Sequence, residues 1–226
     1  MDKSSFEKTL NLMNDDLSRF FWDAFTAVSV NSISGDYVEF GSWGCNTLQH
    51  AYHASQGFGQ ERHYWAFDSF RGLPHSDHPH DQHPVLAPGG LGQGGVDAFH
   101  TTCAGFSVPR EAYTAVEGYF EDTLPPLGTT GEPRDIAVAY IDCNMYSSTV
   151  TVFEFLAPRL KPGMIVGFDD YYLYSADSGV SGEREALNEF LRTHPQWYFH
   201  RFKDIHWGGV SFVVECSEPG SHRQPP

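Results

Sequence analysis

Asp142, Asp169 and Asp170 each follow a short apolar run in the stretch from Ile136 to Tyr172. Residues 136–141 and 164–168 are short, apolar and rich in β-branched side chains, which suits strands buried on both faces. Between them Val150, Phe153, Leu156 and Leu160 recur at helical spacing, and Pro162-Gly163 ends that helix. If the strands are parallel neighbours, all three carboxylates leave the same edge of the sheet, the edge where open α/β sheets bind ligands. Carboxylates held that close repel one another unless protons or a cation lie between them. A hard, oxygen-seeking ion such as Mg2+ suits such a donor set. The alternative is that each aspartate caps a helix or shapes a turn.

A second chemical signal lies upstream, in GDYVEFGSWGCNT. A short strand at 37–40 runs into Gly41 and Gly44, and a helix begins near Asn46 with Leu48 and Ala51 inward. Glycines between a strand and a helix let backbone approach a ligand closely. The spacing is G-x-x-G, not the dinucleotide pattern. Glu39, at the strand end, disfavours phosphate and welcomes a cationic or hydroxyl-rich ligand. Asp68 ends the next strand, 63–67, about where nucleotide-binding α/β folds set an acid against ribose hydroxyls; a turn aspartate is the competing reading.

The elements that must position these groups can be followed along the chain. Leu10, Met13, Leu17, Phe20, Phe21, Phe25 and Val28 give residues 5–30 a helical period. A strand at 115–117 leads to Gly118, Tyr119 and Phe120, where an aromatic ring could stack on a flat ligand or fill core. Residues 183–194 read as an amphipathic helix, and 197–202 and 209–214 as a closing pair of strands. Residues 72–106, rich in Gly, Pro, His and Asp, have no apolar period, and a lid over the site is the preferred reading. His75, His78, His80 and His83 are irregularly spaced there, and no metal is assigned to them. The division expected is 1–35 as an N-terminal helical segment, 36–216 as the main domain and 217–226 as a flexible tail.

Composition narrows the function. The 226 residues carry a formal charge of −15, with 29 acidic and 14 basic side chains. That disfavours broad contact with nucleic acid or anionic membrane. Residues 1–16 have no apolar core typical of a signal peptide, so a soluble, cytoplasmic protein is expected. Cys45, Cys103, Cys143 and Cys216 are scattered without a metal-type spacing, and reduced thiols are expected.

Taken in order, GDYVEFGSWGCNT, FDSFRGLP, EGYFEDTLP, IDCNMYSST, KPGMIVGFDDY and GEREALNEF resemble the macrocin O-methyltransferase family over about residues 8–215. The resemblance implies an α/β, Rossmann-like, seven-stranded class I methyltransferase sheet, mostly parallel, with helices on both faces. It implies an S-adenosyl-L-methionine- and Mg2+-dependent O-methyltransferase acting on a hydroxyl of a small natural-product or sugar-like acceptor. By motif, Glu39 and Gly41 would line the methionine part of the cofactor, and Asp68 with Ser69 would bind the ribose. Gly118 and Phe120 would belong to the same pocket, and Asp142, Asp169 and Asp170 would hold Mg2+. The long N-terminal helix makes a homodimer an expectation.

One position departs from that pattern. Family members with D-x-D at the Asp142 motif use the second aspartate as the proposed general base, and Asn144 stands there instead. An amide cannot accept the hydroxyl proton at neutral pH. A lid histidine, His75 or His78, could replace it, or the acceptor could already be acidic. Methylation of a carboxylate or nitrogen, a rearrangement promoted by the bound sulfonium, and a non-catalytic interaction protein on the same scaffold are the alternatives.

Overall fold

The computed structural model describes residues 3–217 apart from 60, 85, 93, 177, 178 and 180. Helix α1 spans Lys3–Val30, followed by strand β1 (Asp36–Phe40) and helix α2 (Asn46–Ser55). Strand β2 (Tyr64–Asp68) precedes helix α3 (Val96–Gly105), strand β3 (Tyr113–Glu117) and helix α4 (Phe120–Thr130). The central unit is β4 (Ile136–Ile141), α5 (Tyr146–Leu156) and β5 (Ile165–Phe168). Helix α6 (Gly182–Thr193) and strands β6 (Trp197–Asp204) and β7 (Val210–Cys216) close the chain.

The strands form one sheet in the order β3-β2-β1-β4-β5-β7-β6. β3, β2, β1, β4 and β5 are mutually parallel, and β7 runs antiparallel to both β5 and β6. The order reverses between β1 and β4, so the loops after these strands diverge and leave a crevice at the carboxyl edge. All six residues of β4 are buried, as expected of a strand covered on both faces.

Two apolar layers sandwich the sheet. Leu17, Phe20, Phe21, Phe25 and Val28 of α1 pack with Tyr37, Tyr64, Val138 and Tyr140 on one side, together with Leu48 and Phe99. On the other, Phe40, Phe67, Ile141, Val152, Phe153, Leu187 and Phe190 form the second layer. The side chains of Leu10 and Met13 lie outside the described residues, as does the tail from 218.

Three expectations need correction. Residues 72–106 are not structureless, because α3 and a 3-10 turn at Pro79–Asp81 lie within them. The apolar period of α3 rests on Phe99 and Cys103 alone, too few to show through the surrounding Gly and Pro. Helix α4 was hidden by Pro125 and Pro126. Neither can donate to a carbonyl one turn earlier, but both are exposed, as are Glu121 and Asp122 at the acceptor positions, where water can serve instead. Cys45 and Cys103 are not free thiols: they form a disulfide across 58 residues of sequence. Packing of α3 on the turn before α2 brings their Cα atoms within 5.7 Å, a proximity that linear spacing cannot reveal. Cys143 is free and buried, and Cys216 free and exposed.

Candidate active site

Five backbone segments end at the crevice. Gly41 follows β1 with φ +91°, and its N–H donates to the Phe67 carbonyl at 2.8 Å. A Cβ there would stand 1.9 Å from the carbonyl oxygen of Asp142, so only glycine lets the β1 and β4 loops touch. After β2, Asp68 accepts N–H bonds from Ser42 and Phe70, both at 2.7 Å, and so ties the glycine turn to its own loop. Ser69 donates to the Gly72 carbonyl at 2.8 Å. After β3, Gly118 takes φ +144° and its N–H donates to the Asp68 carbonyl at 3.0 Å. Phe120 packs edge-on to Phe40 and is 8% exposed, so its ring serves the core while bordering the crevice.

The crevice is a cavity of about 260 Å³ whose wall includes Gly41, Asp68, Ser69, Gly118, Phe120, Asp142, Asn144, Asp169 and Asp170. Leu17 of α1 and Leu73, Pro74 and Leu91 of the 72–106 segment complete it. Glu39 does not reach this wall. It is fully buried, with Oε2 accepting from the Tyr37 hydroxyl at 2.9 Å and from Thr47, itself a lining residue, at 3.0 Å. The alternation of β1 sends Glu39 to the same face as Tyr37, behind Thr47, which separates it from the cavity. Its Oε1 and the Ser42 hydroxyl are buried with no hydrogen-bond partner. Burial raises the Glu39 carboxyl to about 8, against the lowering effect of its hydrogen bonds.

Asp142, Asp169 and Asp170 each place one carboxylate oxygen within 4.8 Å of the others. Tyr140 donates to Asp169, and the His206 Nε2 lies 2.9 Å from the same carboxylate. Gly208 N–H donates to His206 Nδ1 at 3.1 Å, which leaves Nε2 as the protonated nitrogen facing Asp169. The Asn144 side-chain amide donates to Asp170. Burial and the neighbouring Asp169 charge raise Asp170 to about 7. Burial, followed by the charges of Asp169 and Asp170, holds Asp142 well above the ordinary carboxylate range. Such uncompensated negative charge and an all-oxygen donor set fit a hard divalent cation. The unpaired polar atoms beside the glycine turn fit a ligand that brings hydrogen-bond donors to that wall.

The histidines of the 72–106 segment serve a different purpose. His78 stacks on Tyr146 with ring centroids 4.8 Å apart, and His80 meets the same ring edge-on at 5.0 Å. Asp81, 5% exposed, accepts the Ser147 N–H at 3.0 Å in the first turn of α5. His75 is exposed beside Asp77, and neither His75 nor His78 lines the cavity. Neither is therefore placed as a base. Sequence reasoning also passed over Glu183, Tyr140 and His206. Tyr140 read as core and His206 as part of a connection, and nothing local marks either as a carboxylate partner.

The raised carboxyls carry a pH signature. Glu39 and Asp170 bind protons more tightly folded than unfolded, so their stabilisation is fully present below the ordinary carboxylate range and is lost as pH rises through about 7 to 8. Chelator-treated protein is expected to melt at lower temperature at about pH 8.5 than at about pH 6. A flat or rising melting temperature over that interval would contradict the assignment, and Glu39→Gln should reduce the slope.

This topology, with its crevice between β1 and β4, is the class I methyltransferase fold. It is shared with the O-methyltransferase NovP at TM-score 0.66 and 22% identity, over 88% of this chain and 79% of that one. The macrocin-O-methyltransferase (TylF) family matches residues 15–210, and the chain belongs to it. A curated relative from Streptomyces olivaceus, 8-demethyl-8-(2,3-dimethoxy-alpha-L-rhamnosyl)-tetracenomycin-C 4'-O-methyltransferase, is 29% identical over 72% of this chain and 60% of its own length. Mycinamicin III 3''-O-methyltransferase from Micromonospora griseorubida is 28% identical over 73% and 63%. The chain thus spans about three fifths of the length of these relatives. Among the described residues, no helix is long and apolar enough to cross a membrane.

Proposed function

We propose that the chain is an S-adenosyl-L-methionine- and Mg2+-dependent O-methyltransferase acting on a hydroxyl of a small natural-product or sugar-like acceptor. The observation that carries the reading is the meeting, in one cavity, of a glycine turn that permits close backbone approach and a cluster of three carboxylates. The names of the two curated relatives, both O-methyltransferases, support the reaction class.

In this reading Gly41 and Ser42 face the methionine end of the cofactor, with Glu39 supporting Thr47 from behind. Asp68, whose oxygens keep lone pairs beyond the two backbone bonds they accept, takes the ribose hydroxyls with Ser69 beside it. Gly118 and Phe120 border the rest of the nucleoside. Asp142, Asp169 and Asp170 hold the cation. When bound, the sulfonium supplies an electrophilic methyl group and Mg2+ supplies Lewis acidity that lowers the pKa of an acceptor hydroxyl. The chain's own part is to orient: Tyr140 and His206 fix Asp169, and Asn144 fixes Asp170. Leu17, Leu73, Pro74 and Leu91 exclude water from the apolar side of the cavity. Because the Asn144 amide donates to Asp170 and cannot accept a proton, the site favours an acceptor whose hydroxyl is already acidic, such as a phenol or enol. The same observation is what favours a second reading, transfer to a carboxylate, which needs no base.

Titration calorimetry with S-adenosylhomocysteine tests the donor half, and an acceptor screen with labelled donor, with and without chelator, tests the rest. Saturable binding at one site and transfer that stops in chelator are expected. Absence of binding to folded protein removes the methyl donor from the account, and chelator-insensitive transfer removes the cation.

A further inference from the structure

Glu183 stands at the second position of α6, fully buried and outside the cavity wall. Its Oε1 accepts the N–H groups of Cys143 at 3.2 Å and Asn144 at 3.3 Å, and its Oε2 accepts the N–H of Asp170 at 3.0 Å. Asn144 closes the circuit by donating its side-chain amide to Asp170. One side chain therefore bonds the loop after β4, which carries Asp142, to the loop after β5, which carries Asp169 and Asp170. Gly182 makes the approach possible: a Cβ there would lie 2.6 Å from the Asn144 carbonyl oxygen and 2.9 Å from the Tyr146 nitrogen. Glu183 forms no ion pair among the described residues. Burying a carboxylate beside three others with no basic partner is unfavourable in isolation. A divalent cation among the three aspartates would offset that cost.

We infer that Glu183 is a positioning residue for the cation site: it sets the separation of the two aspartate loops and adds a fourth negative charge behind the bound ion. The inference rests on the metal-dependent reading proposed above. It acts through Asp142, Asp169 and Asp170 and does not touch the ion. Groups that orient metal ligands from behind typically change metal affinity 10- to 100-fold when altered.

The test is calorimetric titration of the full chain with Mg2+ alone, comparing the unsubstituted protein with Glu183→Gln. S-adenosylhomocysteine binding and melting temperature in chelator serve as controls. Glu183→Gln is expected to weaken Mg2+ binding by about 10- to 100-fold while leaving S-adenosylhomocysteine affinity unchanged. A purely structural role would lower melting temperature and spare Mg2+ affinity in the folded fraction. Unchanged Mg2+ affinity in folded Glu183→Gln overturns the inference. If that variant does not fold, Glu183→Asp, which keeps the charge but withdraws it by one methylene, carries the same expectation and the same overturning result. Failure of the unsubstituted chain to bind Mg2+ would instead defeat the metal-dependent reading itself, so the two failures are distinguishable.

Discussion

Asp142→Asn is expected to lower methyl transfer by about 10³-fold, because a cation ligand supplies several kcal/mol of charge stabilisation and each 1.4 kcal/mol is tenfold in rate. The same substitution should make the chelator-treated protein more stable. Asp142 lies among Asp169, Asp170, Glu183 and Glu39, and the neutral amide removes a charge that all four oppose. Activity down with stability up is a signature that general disruption of folding cannot produce. Steady-state transfer assays and melting curves in chelator on the same preparation decide it. A variant that loses activity and also melts lower would mean that Asp142 is structural.

Gly41→Ala should have the next largest effect, with the opposite sign on stability. The added methyl meets the Asp142 carbonyl oxygen at 1.9 Å, and φ +91° is costly for any residue with a side chain. Both contacting groups are backbone, so relief requires the β1 and β4 loops to separate. A loss of about 3 kcal/mol is expected, or roughly 6–12 °C in melting temperature for a chain of this size. S-adenosylhomocysteine affinity should fall by about 100-fold, since closing and binding use the same turn. Retained affinity in a folded Gly41→Ala protein would place the cofactor elsewhere.

The parts of this site that were legible in sequence are those written in local pattern. Asp142 and Asp169-Asp170 each end an apolar strand, so their meeting at one edge follows once the strands are parallel neighbours. Gly41 and Asp68 are legible for the same reason, each standing just past a strand end. What stayed hidden depends on contacts between distant segments. Glu183 occupies the first turn of α6, where an acidic residue is ordinary because it complements the helix dipole, and nothing local says that this one is buried. Glu39 misled in the opposite direction. Its place beside the glycine turn suggested a ligand, whereas strand alternation directs it behind Thr47. The Cys45–Cys103 bond and the stacking of His78 on Tyr146 likewise need the fold before they can be seen. The two prolines of α4 show the other limit, since a rule about helix interiors yields where water can replace the missing donor.

The segment over the cavity is held in an unusual manner. Leu73 N–H donates to the Gly90 carbonyl at 2.9 Å and Gly89 N–H to the Leu73 carbonyl at 2.8 Å, so residues 73–90 leave and rejoin the protein at a single neck. Beyond the neck, the Cys45–Cys103 disulfide fastens α3 to the turn that follows β1. Kinematically the segment is a flap on one hinge: its downstream end cannot peel away while that covalent bond stands. Any widening of the cavity large enough to admit a bulky molecule must therefore be a rotation about Gly72 and Gly89-Gly90. Of these, Gly72 and Gly89 hold positive φ, at +95° and +72°. The strength of the covalent tether and the freedom of the hinge are thus set at separate places in the chain, one by a pair of cysteines and the other by glycines.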